Sequence, residues 1–411
     1  MSSQSVSVSP GRLRLIILCA MLVLLVSMGV RATSGLLMQP MTQAHGWTRA
    51  DFAFAFALQN LVWGLANPLY GAIADRLGSG RAIVVGALFY AAGLLMMRYV
   101  ETPLGLDLAS GLLVGLGLSG TTFGVLLGVV ARNAPPEKRS MALGLTAAGG
   151  SMGQFVMLPV GQELIGGLGW SGALIGLALC AALIVPLAGA LTGRNEATGS
   201  DQSIRQALGE AWRHPSFHFI FWSFFTCGFH TAFITLHFPS YMMDIGLGVD
   251  VGVRAVALIG LFNVIGTYGS GVLGGKYSKK TLLAYTYFIR SAVILAFILA
   301  PKTPTVVYLF AAAMGLLWLG TVPLTNGLVA DIYGTRYVSM LVGVVFLGHQ
   351  FGSFFGAWLG GYAFEHYQSY QSVWILSVVV GVTAGLLCLP IREHAIERLT
   401  NRVAAAPRAA V

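Results

Sequence analysis

Apolar segments long enough to cross a bilayer recur about twelve times along this chain of 411 residues, and its few charged residues fall almost entirely between them. A hydrocarbon layer of ~30 Å takes about 20 residues of helix to cross. Every backbone N–H and C=O inside it must be satisfied by the protein, which a self-bonded helix does and an isolated strand does not. The expected fold class is therefore an all-α membrane protein of twelve transmembrane helices. The spans fall near residues 13–39, 50–74, 82–99, 105–131, 139–164, 170–191, 216–242, 253–275, 281–299, 305–330, 337–364 and 370–390. Composition agrees at 56% hydrophobic and 9% charged, where soluble domains carry roughly a quarter charged residues.

One connection is long and polar, residues 193–215 (GRNEATGSDQSIRQALGEAWRHP), and it divides the spans six and six. The expected organisation is a cytoplasmic N-terminal tail (1–12), an N-terminal six-helix bundle (13–191), a central cytoplasmic loop (192–215), a C-terminal six-helix bundle (216–390) and a cytoplasmic C-terminal tail (391–411). The first apolar run is too long for a signal peptide and shows no small-residue cleavage pattern, so it reads as a permanent span. With both ends placed in the cytoplasm, 18 of the 24 Lys and Arg residues lie on that side and four (Arg49, Arg98, Arg254 and Lys302) on the other. This is the positive-inside bias expected of a multi-pass protein of the cell's inner (plasma) membrane. Basic loops facing anionic lipid account for the net charge of +9 without invoking nucleic acid.

The halves repeat. Gly71–Arg81 (GAIADRLGSGR) at the end of the second span is echoed by Gly271–Lys280 (GVLGGKYSKK), Gly153-Gln154-Phe155 by His349-Gln350-Phe351 at an offset of 196, and Trp170 by Tyr370 at an offset of 200. Such symmetry predicts two pseudo-symmetric bundles about an axis along the membrane normal, with a site between them.

The loop Gly71-x-x-x-Asp75-Arg76-x-Gly78-x-x-Arg81 resembles the signature between the second and third helices of the major facilitator superfamily, and twelve spans with one long central connection match that family over about residues 12–392. The resemblance implies the major facilitator fold and alternating access. It also implies that Gly71, Asp75, Arg76, Gly78 and Arg81 form a cytoplasmic latch, the carboxylate pairing with basic groups and helix termini in the outward-open state; a solvated turn is the alternative. The second copy has Gly275 where the acid would stand. Segments 29–41 (GVRATSGLLMQPM), 45–61 (HGWTRADFAFAFALQNL) and 137–170 are similar to bacterial members near the monocarboxylate transporters and the oxalate/formate antiporter. That branch moves small organic acids by proton symport or anion exchange. Where monocarboxylate transporters carry F-x-D-x-x-x-R in the eighth helix, this chain has Phe262, Asn263 and Thr267, so that carboxylate-binding arginine does not carry over.

All 15 acidic residues can be assigned to loops or span ends, which argues against a cationic substrate and against a carboxylate proton relay. Two arginines lie within spans, Arg31 and Arg290, and an intramembrane charge is a functional candidate by default. Arg31 offers planar, bidentate donation to a substrate anion, unless it snorkels to the interface. Arg290, nine residues into the ninth span, sits roughly 13 Å deep at ~1.5 Å per residue; it either reaches the cavity or makes a structural bond. His230, His237 and His349 are the proton-coupling candidates, since imidazole titrates near neutrality, and satisfied core donors otherwise. Asn60, Thr121, Gln154, Asn263, Trp318 and Gln350 complete the substrate-binding candidates, with ordinary helix–helix hydrogen bonding as the alternative for the polar ones. The four cysteines all lie in apolar spans and read as packing residues. With no Walker A sequence, zinc-ligand spacing or nucleophile elbow, no cofactor, metal or enzymatic activity is expected. The expected function is secondary active transport of a small organic anion, a monocarboxylate, with a proton, by a monomer in lipid. The alternative is a proton- or exchange-driven exporter of a larger amphipathic compound such as a drug or siderophore.

Overall fold

A computed structural model describes residues 9–134, 136–191, 203–334 and 338–396. The first half comprises α1 (Pro10–Ala32), α2 (Ser34–His45), α3 (Arg49–Leu77), α4 (Ser79–Met97), α5 (Pro103–Leu106), a π-helical stretch (Asp107–Val114), α6 (Gly115–Thr121), α7 (Phe123–Asn133), α8 (Pro136–Ala182) and α9 (Ile184–Ala188). The second comprises α10 (Ile204–Arg213), α11 (Pro215–Asp244), α12 (Val249–Gly274), α13 (Lys279–Leu299), α14 (Pro304–Leu317), α15 (Thr321–Tyr333), α16 (Val338–Tyr367) and α17 (Gln371–Cys388).

Among the described residues, eleven continuous segments are long and apolar enough to span. One of them, Gly144–Ala188, divides at Gly169, whose φ of 68° no helix accommodates, and so supplies the fifth and sixth spans of twelve. Large apolar side chains such as Leu69, Leu88, Leu179, Leu299 and Leu309 face outward, which in a water-soluble protein would be an aggregation surface and in a bilayer is solvation.

Among the described residues several spans are interrupted where a regular apolar pattern predicts continuity, three of them beside the region between the bundles. The first breaks at Thr33 between α1 and α2, the fourth at Thr122 between α6 and α7, and the tenth over Trp318–Gly320 between α14 and α15. Freed backbone groups at such breaks must find partners inside the protein. Thr33 Oγ1 donates to Val30 O (2.7 Å) and Thr122 Oγ1 to Leu118 O (2.6 Å); the tenth-span break is held by Arg290 and Asn263, described below. A helix that the polar central connection does not advertise, α10, is closed by a capping box between Ser203 and Gln206.

The halves repeat in their packing. On α8, Gly149 and Gly153 lie against the backbone of Met21 and Leu25 of α1; on α16, Gly352 and Gly356 lie against the backbone of Phe225 and Phe229 of α11. In both pairs an added Cβ would collide with the neighbouring main chain, so small residues four apart set the helix–helix distance.

The two bundles do not meet evenly along their length. Near the face that carries Ser9 and Ile396, one apolar core belongs wholly to the first half (Ile16, Leu24, Tyr70, Ile83, Leu126) and another wholly to the second (Phe217, Leu283, Leu328, Val345). Toward the opposite face the cores interpenetrate: Ala232, Leu236 and Ala357 join the first-half cluster, and Ala32, Leu36 and Leu158 the second-half cluster. The molecule is therefore shut at the face away from the termini and parted at the face that bears them.

Candidate functional site

Between the parted halves lies a cavity of 350 Å³ with walls from both bundles. The wall is mostly apolar, with Met28, Trp63, Phe123, Phe224, Trp318 and Phe346 prominent. It contains one arginine, Arg31, and one histidine, His349, and among the described residues no carboxylate.

Arg31 sits on α1 one residue before the last of its helix. Its Nη2 donates to Asn60 Oδ1 at 2.7 Å, and Asn60 Nδ2 donates in turn to Phe56 O at 2.8 Å, which fixes the amide so that its oxygen faces the guanidinium. The Phe56 and Trp63 rings lie 5.0 and 5.2 Å from Arg31 Cζ. Phe56, Asn60 and Trp63 are spaced i, i+4, i+7 and so share one face of α3. Trp63 is locked by Nε1 donating to Thr122 Oγ1 at 2.9 Å, at the fourth-span break. Arg31 Nε is buried without a partner, and no carboxylate pairs with the guanidinium among the described residues. A planar cation is thus built into the wall with donor capacity to spare.

Asn60 also links this cation's surroundings to the other bundle, through its main-chain carbonyl and not through the side chain that meets Arg31. Gln350 Nε2 on α16 donates to Asn60 O at 3.2 Å, and Gln350 Oε1 lies 3.0 Å from His349 Nδ1. With the amide NH₂ committed to Asn60, its oxygen accepts, so His349 carries its proton on Nδ1 and Nε2 is the basic nitrogen; the assignment follows from the network. The imidazole stacks on Phe346 (5.3 Å, 11°) and packs against Phe224 (4.9 Å).

Two further cross-bundle bonds lie on the α8–α12 side: Gln154 Nε2 donates to Val256 O (3.1 Å) and Asn263 Nδ2 to Ser151 Oγ (2.9 Å). Asn263 Oδ1 also accepts from Leu319 N (2.9 Å), within the tenth-span break.

Of the residues singled out from the sequence, Arg31, Gln154, Asn263, Trp318 and His349 line the cavity. Asn60 and Gln350 stand behind the wall and orient Arg31 and His349. Thr121 donates to Gly117 O (2.9 Å) within its own helix, and its neighbour Thr122 takes the lining position. Arg290 lies outside the lining, fully buried, with Nη2 donating to Leu317 O and to Trp318 O (2.8 Å): its charge holds the tenth-span break. His230 and His237 are also away from the cavity, their Nε2 atoms on Ser377 O and Ala357 O at 2.7 Å each. In the latch sequence, Gly78 opens α4 with φ 99° and Arg81 is exposed in its first turn. Gly71 lies in α3 with open space beside it. The side chains of Asp75 and Arg76 lie outside the described residues.

Sequence reasoning did not find the clasp at the closed face. Arg49, at the start of α3, donates from Nη1 and Nη2 to the two carboxylate oxygens of Asp244 (2.6 and 2.7 Å) and from Nη1 to Tyr370 OH (3.0 Å), with Phe364 3.8 Å from its Cζ. The partners are 195 and 321 residues away, a pairing without a local signal. Beneath it Gly35 of α2 passes so close to α11 that an added Cβ would lie 2.6 Å from Thr235 O.

The profile of the Major Facilitator Superfamily matches residues 19–338 and 292–410, and the chain belongs to that family of membrane transporters. It is similar to the oxalate:formate antiporter of Oxalobacter formigenes (24% identical, over 87% of this chain and 86% of that protein). It is also similar to monocarboxylate transporter 12-B of Danio rerio (23%, over 82% and 77%). In fold it matches a bacterial homologue of the human lysosomal transporter Spinster, solved in an inward-facing, unoccupied conformation, with a TM-score of 0.73 at 15% identity over 93% of this chain and 97% of that one.

Proposed function

We propose that this chain is a secondary active transporter that carries a small organic anion, a monocarboxylate, by alternating access and in symport with a proton. The observation that supports this most is Arg31, a fixed cation in an apolar wall with donors unspent. A carboxylate reaching it exchanges water for charge-assisted hydrogen bonds. The names of the relatives, which include oxalate, formate and monocarboxylate carriers, agree in charge. The basic residues favour placing the termini in the cytoplasm of a cell whose inner (plasma) membrane holds the protein, so the parted face opens inward and the Arg49–Asp244 clasp closes the outside.

The path Arg31–Asn60–Gln350–His349 supplies a route for coupling. Substrate on Arg31 competes with the Asn60 side chain for the guanidinium, and Gln350, bonded to the main-chain carbonyl of the same residue, couples movement of that turn of α3 to the imidazole that holds the mobile proton on Nε2. Anion and proton together add no net charge, so loaded and empty carriers reorient with the same charge and the transfer of an uncompensated ion through apolar surroundings is avoided. The apolar wall also favours the exporter of an amphipathic compound as a second reading; there the lone guanidinium selects against cationic cargo.

The test is uptake by the full-length protein in proteoliposomes, using labelled carboxylates and their amides with and without a pH gradient. Accumulation of an acid but not its amide, driven by the gradient and lost in His349→Gln, is expected. Equal movement of acid and amide would overturn the anion site. Gradient-independent counterflow would replace symport by exchange.

A further inference from the structure

The cavity wall has an internal order that the charge alone does not explain. Starting at Arg31, Trp63 lies 5.2 Å from its Cζ, Phe346 follows at 5.3 Å from Trp63 and inclined 70° to it, His349 is stacked 5.3 Å beyond Phe346, and Phe224 closes the row 4.9 Å from His349. All five line the cavity. A row of rings therefore runs from a permanent cation to a titratable imidazole, and it passes from one bundle to the other between Trp63 on α3 and Phe346 on α16.

We infer that the site selects a monoanion in which one carboxylate is joined by a short linker to an aromatic ring, the carboxylate on Arg31 and the ring against Trp63 and Phe346, and that it discriminates against short dianions. The inference rests on the reading of Arg31 as the anion ligand and narrows it.

Size does not make the selection. A cavity of 350 Å³ lies at the lower end of ordinary ligand pockets, and oxalate, acetate and a ring-bearing acid all enter it. Charge and wall chemistry do. A short dianion with one carboxylate on Arg31 finds no second fixed cation among the described lining residues, and a carboxylate left unpaired against the Trp63 and Phe346 rings is strongly disfavoured. Gln154 is engaged with Val256 O and Asn263 with Ser151, and the remaining polar side chains of the wall, Asn67, Asn326 and the threonines among them, are neutral and bring no charge to a second carboxylate. An aromatic tail instead completes the row through offset or edge contacts, which favour a ring over a saturated tail of equal size. Because Trp63 and Phe346 belong to different bundles, a ring seated on both is held best when the bundles approach, so the same contact that selects the tail rewards closure of the inner face.

The experiment is calorimetric titration of the full-length protein in lipid nanodiscs with phenylacetate, cyclohexylacetate, acetate, oxalate and phenylacetamide. Phenylacetate is expected to bind roughly 3–10-fold more tightly than cyclohexylacetate, and at least tenfold more tightly than acetate or oxalate. In Phe346→Leu the preference for phenylacetate over cyclohexylacetate should fall to about one, and Phe346→Tyr should restore it. The ligand series on the unaltered protein stands even where a variant fails to fold. Oxalate binding as tightly as phenylacetate, or cyclohexylacetate equalling it, overturns the inference while leaving an anion site in place. Phenylacetamide equalling phenylacetate overturns the anion site itself, and the inference with it.

Discussion

Arg31 and Arg290 are the same side chain in the same kind of place, one in each bundle, each beside an interrupted span. Their fates differ. Arg290 is fully buried, and two backbone carbonyls of the tenth-span break occupy its Nη2. Arg31 meets one amide oxygen, is flanked by two aromatic faces and opens on the cavity. In each, one terminal nitrogen carries the protein's bonds and Nε is buried without a partner, as is Nη1 of Arg290; what separates them is access, because Arg31 lines the cavity and Arg290 does not. The cost of burying a guanidinium is offset at Arg290 by otherwise orphaned carbonyls, and at Arg31 it is left to be offset by a ligand.

The widest gap should appear when each charge is removed. Arg31→Gln is expected to lower carboxylate affinity by ~2–5 kcal/mol, roughly 30-fold to several-thousand-fold, and Arg31→Lys by less, since it keeps the charge and loses the planar fork. Titration of the folded variants reads this directly. Wild-type affinity in Arg31→Gln would move the anion site elsewhere.

Arg290→Gln should act on stability instead. Charge-assisted bonds to carbonyls are worth ~1.5–3 kcal/mol each, reduced here by the desolvation that the charge itself incurs. A lowered midpoint of thermal unfolding with unchanged carboxylate affinity per folded molecule is expected. The reverse pattern would erase the distinction between the two arginines.

How much of this was legible in the sequence follows the same division. The twelve spans and the internal repeat were readable because hydropathy and spacing are local properties, and Arg31 stood out because charge in an apolar run is conspicuous. Phe56, Asn60 and Trp63 carry a usable signal in their shared helical face, but it needs a reason to look at that face of α3. The span breaks at Thr33, Thr122 and Trp318–Gly320 were invisible, since their apolar pattern continues through them and the partners that stabilise them come from other helices. The histidines illustrate the same limit: His230, His237 and His349 are alike in hydropathic context, and only packing places the first two on carbonyls of α17 and α16 and the third at the cavity.

Cutting the path between the Arg31 side and the imidazole should have a smaller effect. Gln350→Leu removes the bonds to Asn60 O and His349, each worth ~0.5–1.5 kcal/mol, so gradient-driven accumulation should drop several-fold. His230→Gln and His237→Gln, which lie off the path, should retain it. Loss of proton drive in either of those, with Gln350→Leu unaffected, would place the coupling route in α11 instead.

The smallest effect belongs to the closed face, where Arg49 is an arginine of a third kind, shared between bundles rather than kept by one. Its side chain and that of Asp244 retain 13% and 26% exposure, so despite bidentate geometry the pair is worth about 1 kcal/mol. On the proposed orientation, in which the clasp closes the outer face, the pair breaks when that face opens, so Asp244→Ala should favour the outward-open state by roughly fivefold, the population shift that ~1 kcal/mol allows. Thr235 lines the cavity behind this clasp, so a Thr235→Cys reporter should react about fivefold faster with a membrane-impermeant thiol reagent added outside when Asp244 is also replaced. Raising salt toward ~1 M should reproduce part of the gain in the unaltered clasp, because exposed charges are screened. Unchanged labelling would mean that the close approach of Gly35 to α11 seals the face unaided, and that Arg49, unlike Arg31 and Arg290, holds nothing that packing does not already hold.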